Sequence, residues 1–138
     1  MKLIAACAHS TGATGLKHLN IVDLANDADP LALSLDGVER IDLNFPKFTD
    51  GRAFSQAFLL RRRREFKGEI RATGDVLVDQ LAQMERSGFD VAVLRADQDL
   101  AVAERVLAEY PGYDIGAYQG DAVHVKPHFI TDPKAAAV

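Results

Sequence analysis

The chain has 138 residues, enough for one domain that buries about two-thirds of its unfolded surface without a metal or disulfide staple. Hydrophobic residues make up 48% and charged residues 26%, which excludes a disordered or fibrous chain. A formal charge of -4 argues against a nucleic-acid surface, no run approaches the roughly 20 apolar residues of a membrane span, and a single cysteine excludes an intrachain disulfide.

In chain order, residues 2–6 suit a short strand. Ile4-Ala5-Ala6-Cys7 has the form of a bacterial lipoprotein cleavage box, but the apolar run before it is shorter than the roughly 7–15 residues of a signal sequence, so the chain reads as cytoplasmic. Thr11-Gly12-Ala13-Thr14-Gly15 looks like the dinucleotide-cradling turn of short-chain dehydrogenases. His18 stands where the third glycine would fall, and the next apolar run begins at Leu19, too soon for a crossover helix of about ten residues. A plain glycine turn fits better. Residues 19–24 read as a strand, and Asp29-Pro30 has the chemistry of a helix start, with a short helix over 30–35. Asp36-Gly37 turns the chain into a strand over 38–45.

The alternating run Ile41-Asp42-Leu43-Asn44-Phe45 leads into Pro46-Lys47-Phe48-Thr49-Asp50-Gly51-Arg52, a polar turn before a helix over 53–64. That helix carries an apolar stripe of Ala53, Phe54, Ala57, Phe58 and Leu60. It closes on four arginines, Arg61 to Arg64, read as a solvated helix end favoured by the helix dipole rather than as a nucleic-acid patch. Residues 69–72 suit a strand; Thr73-Gly74-Asp75 follows, with Asp75 placed to cap a helix over 76–86 and Gly88 placed to end it. A buried strand over 91–94, the turn Arg95-Ala96-Asp97-Gln98-Asp99 and a helix over 100–109 complete the series. A further strand is expected over 113–118, and a mobile tail at the end.

The alternation predicts an α/β fold: a single domain with a mostly parallel sheet built from consecutive βα units over 19–119. Residues 1–18 form a variable N-terminal segment and 120–138 a C-terminal extension. Parallel strands place their carboxyl ends on one edge, where ligands bind in open α/β sheets. The turns would deliver Lys47, Asp50 and Arg52, then Arg71 and Asp75, then Arg95 and Asp97 to that edge. Four cations beside helix amino-termini suit a small oxyanion, bound by Lys47, Arg52 and Arg71 with Asp50 or Asp75 as proton carrier. The same residues also suit a structural network of caps and ion pairs. Gln80 lies more than one turn into its helix and reaches the edge only if that helix tilts.

His124 and His128 are four apart, but Pro127 between them forbids a regular helix, so no metal site is expected. The sequence holds no P-loop, zinc box, nucleophile elbow or Cys-x-x-Cys, and no cofactor is identified. Phe48, Phe54, Phe58 and Phe66 are candidates for a homo-oligomer surface, or equally for core packing.

The motif Phe45-Pro-Lys-Phe-Thr-Asp-Gly-Arg52, with Leu59-Leu-Arg61, Gly68-Glu-Ile-Arg-Ala72, Gly74-Asp-Val-Leu77, Asp79-Gln-Leu81 and Gly88-Phe-Asp90, resembles an uncharacterised bacterial family over 20–119. That family is described as a probable oxidoreductase involved in sulfite reduction. Its genes neighbour those for sulfite reductase and phosphoadenylyl-sulfate reductase. The resemblance implies a role in sulfate assimilation and cysteine biosynthesis, with those two reductases as candidate partners. It also implies functional positions at Lys47, Asp50, Gly51, Arg52, Arg71, Gly74, Asp75 and Gln80. Ser87 stands where many members have a cysteine, and Phe58 and Val78 where members often carry arginine, so a thiol mechanism is not implied here. Either an enzyme of sulfite reduction or a non-catalytic partner of a sulfur-assimilation reductase fits this resemblance.

Overall fold

A computed structural model describes residues 1–9 and 20–108. Its strands are β1 (Lys2–Ala5), β2 (Ile21–Leu24), β3 (Arg40–Phe45), β4 (Glu69–Gly74) and β5 (Val91–Leu94). They pair in parallel in the order β1-β5-β4-β3-β2. The helices are α1 (Arg52–Arg62), α2 (Leu81–Ser87), preceded by a 3₁₀ turn at Val78–Gln80, and α3 (Leu100–Ala108). This is the expected α/β fold. The N-terminal strand β1 belongs to the same sheet, paired along β5. Among the described residues no helix is long and apolar enough to cross a membrane.

From β2 to β5 each strand is the neighbour of the one before it. Right-handed crossovers that always step in the same direction return on the same face of the sheet. The helices accordingly form one layer: α1 lies on β3 and α2, α2 on α3, and α3 on β1. Side chains alternate along a strand. Ile41, Leu43 and Phe45 of β3, Ile70 and Ala72 of β4, and Ala92 and Leu94 of β5 face this layer and share its core with Leu60, Leu81 and Met84. The rings of Phe45, Phe54 and Phe89 pack edge to face or tilted, with centroids 5.0 to 6.3 Å apart. Phe54 and Phe66 are therefore core residues; of the four phenylalanines considered for a surface, Phe48 and Phe58 are exposed.

Three local expectations are corrected. Residues 30–35 form turns, not a helix. The Asp29 side chain does accept the Leu31 amide at 2.8 Å, but Arg64 Nη1 donates to the carbonyls of Pro30 at 3.1 Å and Leu31 at 2.7 Å and takes the acceptors a helix would need. The helix expected from 76 begins later, because the Val76 carbonyl accepts the Arg95 amide at 3.1 Å and Leu77 is extended. Gly88 ends it in the left-handed region at φ 110°, as expected. Third, Arg61 is no solvated helix end. It is 8% exposed and donates to the carbonyls of Gly88, Phe66 and Gly68 at 3.0, 2.7 and 2.8 Å, and to the Asp90 carboxylate. One guanidinium thus ties α1 to the turn before β4 and the turn before β5. The glycine turn at 11–15, His18, the strand expected over 113–118, His124, His128 and the C-terminal tail lie outside the described residues.

Arg61→Met strands the buried Phe66 and Gly88 carbonyls and takes a partner from the part-buried Gly68 carbonyl and Asp90 carboxylate. Its expected cost is about 3–5 kcal/mol in chemical denaturation. Arg63→Met, on the exposed side of the same helix end, is expected within about 0.5 kcal/mol of the parent. Equal stability of the two variants would contradict this reading of Arg61.

Candidate functional site

Two groups of polar residues stand out, one on the rim of the sheet and one on the face turned away from the helices. The rim is built by three loops that follow β3, β4 and β5. Gly74, at φ +91°, lets the second loop press on the first: a methyl group there would sit 2.4 Å from the Phe45 carbonyl oxygen. The Asp75 amide donates to that carbonyl at 2.7 Å. Asp75 Oδ2 then accepts the Phe48 amide at 2.7 Å, and Gln80 Nε2 donates to the Phe48 carbonyl at 2.7 Å. The Phe48 peptide groups are held from both sides while the residue stays 50% exposed.

Charges on the rim are matched. Arg52 forms a forked pair with Asp50 at 2.8 and 3.0 Å, and Asn26 donates to the same carboxylate at 2.7 Å. Arg95 bridges Asp75 at 2.6 Å and Asp97 at 2.6 and 2.7 Å. The Arg52 guanidinium holds the Asp50 carboxyl well below its usual range, and Arg95, with help from the Phe48 amide, lowers that of Asp75. Arg95 holds Asp97 down to about 2. Carboxylates this acidic are ionised at neutral pH and make weak proton carriers there. Lys47 is exposed on the same loop as Phe48.

Arg52 and Arg95 reach the rim; Arg71 does not. Strand β4 continues past residue 72 to Gly74, which pairs with Phe45, so Arg71 is a mid-strand residue on the other face. There it joins residues that sequence reasoning passed over. Asp23, Asp42, Arg71, Val91 and Lys2 stand in one row across all five strands, and Arg40 and Glu69 in the next. Arg40 pairs with Asp42 through two bonds of 2.7 Å, and Arg71 with Glu69 at 2.6 Å. Both pairs link residues i and i+2 of one strand, and the signs alternate between β3 and β4 as well, while Asp23 of β2 stands beside the like-charged Asp42. This checkerboard lies on the face where the core does not. Arg40 is 4% exposed and Asp42 2%.

His9, just after β1, sits against both pairs. Arg71 Nη1 lies 3.1 Å from His9 Nδ1, and Asp42 Oδ2 lies 3.8 Å from His9 Nε2. A guanidinium can only donate, so Nδ1 accepts and the ring proton sits on Nε2, facing Asp42. Burial pushes the His9 pKa down; Arg71 and Arg40 add to this and Asp42 opposes it. Burial, then the facing Asp42 carboxylate, push the Asp23 carboxyl up. The signal in the sequence was charge at alternate positions, Arg40 and Asp42, then Glu69 and Arg71, between the buried apolar positions of β3 and β4. Among the described residues no group of three or more His, Cys, Asp or Glu side chains is placed to hold a metal ion.

Residues 21–129 match the family described as bacterial protein of unknown function, DUF934. The chain belongs to this family. No curated protein and no solved structure matches this DUF934 chain.

The rim pairs make a pH signature. Their carboxyls are depressed in the folded state, so the stability they add is present above the ordinary value of 3.8 and is lost as pH falls toward the folded value, about 2 for Asp97. Arg95→Gln removes the cation that depresses Asp75 and Asp97. Its denaturation midpoint is expected to fall less than the parent's between pH about 5 and about 3. A variant that loses as much as the parent over that interval would contradict the pairing.

Proposed function

We propose that this chain is an accessory protein of sulfite reduction in sulfate assimilation, and that it docks on a reductase of that pathway through the rim loop carrying Lys47 and Phe48. The pathway comes from the resemblance of the rim motif and its companion segments to a family labelled for sulfite reduction. The docking mode is supported by one observation above others: Phe48 is 50% exposed on a loop whose backbone is clamped by Asp75 and Gln80. An aromatic side chain held in place before binding loses little freedom on binding, which makes it a good anchor for a partner. The matched rim charges fit the same reading, since Asp50, Asp75 and Asp97 neutralise Arg52 and Arg95 within the chain.

A second reading, an oxidoreductase of sulfite reduction with an oxyanion at the rim, is favoured by the exposure of Arg52. Its side chain is 60% exposed despite its pair with Asp50, and Lys47 lies on the same loop. In that reading Lys47 and Arg52 hold the oxyanion and Gln80 orients the loop.

The test is a binding assay against purified sulfite reductase and phosphoadenylyl-sulfate reductase. The chain is expected to bind one of them, and Phe48→Ala to weaken the complex by roughly tenfold or more. Absence of binding to both reductases, or an unchanged affinity in Phe48→Ala, would overturn the docking reading. Calorimetry with sulfite then decides the second reading: heat that disappears in Arg52→Ala places the anion on the rim.

A further inference from the structure

We propose that His9 and Arg71 form a binding site for a small oxyanion on the sheet face opposite the helices, in which the anion replaces the His9–Arg71 contact and His9 takes up one proton. The proposal rests on neither the docking reading nor the pathway.

The site starts from a contact that is tolerated in one protonation state only. Arg71 Nη1 donates to His9 Nδ1 at 3.1 Å. Once His9 is protonated, Nδ1 also becomes a donor, and two N–H groups point at each other. An acceptor oxygen between them satisfies both. The remaining Arg71 nitrogens stay fixed, because Nε and Nη2 are held by Glu69 Oε1 at 2.7 and 2.6 Å. Asp42 is the positioning residue: it faces His9 Nε2 at 3.8 Å and is itself locked by Arg40 through two bonds of 2.7 Å. The imidazole therefore has a carboxylate behind it and a guanidinium in front of it. The His9 and Arg71 side chains are each 11% exposed, so the contact lies at the edge of the buried checkerboard rather than beneath it.

Charge counting gives the proton its role. Arg40 and Asp42 cancel, as do Arg71 and Glu69. Three described groups on these strands are left over, His9, Asp23 and Lys2, which stands in the same row on β1. Asp23 lies on the far side of Asp42 from Arg71, in the order Asp23, Asp42, Arg71 across β2, β3 and β4. With His9 neutral, Lys2 and Asp23 offset each other, and the described charges of these strands leave no cation in excess beside Arg71. A proton taken from solvent, or from the acid form of the anion, places a cation beside Arg71 where the anion binds. The anion in turn offsets the burial and the neighbouring guanidiniums that oppose His9 protonation. Binding and protonation then favour each other by equal amounts. Two planar donor groups side by side fit tetrahedral, pyramidal or planar oxyanions, which sulfate, phosphate, sulfite and acetate sample.

The experiment is titration calorimetry of the full chain with each of these four anions, at pH about 6 and about 8, in buffers of different ionisation enthalpy. The expected result is one anion per chain, bound at least roughly tenfold more tightly at the lower pH, with uptake of about one proton. His9→Gln is expected to abolish this dependence on pH, while Arg52→Gln on the rim leaves it intact. No heat with any of the four anions, or a His9→Gln chain that keeps both the affinity and its pH dependence, would overturn the proposal. Loss of the heat in Arg52→Gln with retention in His9→Gln would overturn it too and place the anion on the rim. The parent protein gives a reading that needs no variant: saturating sulfate is expected to raise the pH at which the His9 ring protonates, and an unmoved midpoint would contradict the site.

Discussion

Handedness is the constraint from which the rest follows. Strands β2 to β5 are laid side by side in chain order, and a right-handed crossover repeated in one direction puts successive connections on one side of the sheet. The helices therefore collect the apolar half of each strand, and the other half must be satisfied differently. In β3 and β4 it is satisfied by charge. Arg40 with Asp42 and Glu69 with Arg71 form two internal pairs whose signs also alternate across the strands. Burying ions is costly, by several kcal/mol for each ion left alone, and pairing offsets that cost without adding much beyond it. Such a face is weak support for stability and a good frame for chemistry.

The rim obeys a different logic. There the loops after β3, β4 and β5 are bound to one another by backbone and side-chain hydrogen bonds rather than by apolar packing. Gly74 permits the close approach, Asp75 and Gln80 grip the Phe48 peptide groups, and Arg95 secures Asp75 from the third loop. The conspicuous motif of the sequence, from Phe45 to Arg52, is thus a presented loop with internally matched charges. Arg61 plays the corresponding part at the opposite ends of the strands, where it gathers carbonyls from the turns that precede β4 and β5.

Local pattern carried the architecture. The alternation of strand and helix signals, the cap role of Gly88 and the apolar stripe of α1 other than the exposed Phe58 depend on neighbours in sequence, so they were legible. What was not legible depends on partners far along the chain. Arg64 removes the helix acceptors of Pro30 and Leu31 from 34 and 33 residues away. Asp75 sits where a helix cap belongs, yet its oxygens are taken by Phe48 and Arg95. Arg71 reads as lying next to the end of a strand over 69–72, because Thr73-Gly74 resembles a turn, but pairing of Asn44 with Thr73 and Phe45 with Gly74 extends β4 by two residues. The alternating run of β3 marks a strand but says nothing of how deep its charges lie, and the depth of Asp42 and Arg40 comes from the fold.

The account turns on the state of one ring. His9 is held between a donor that cannot accept, Arg71, and a buried carboxylate, Asp42, and this arrangement admits only the neutral form with its proton on Nε2. Nitrogen NMR of the imidazole in the protein free of added anions reads this directly. The account predicts an unprotonated Nδ1, a protonated Nε2 and a titration midpoint below 6.5. A ring that carries its proton on Nδ1, or that titrates at or above 6.5, would contradict it.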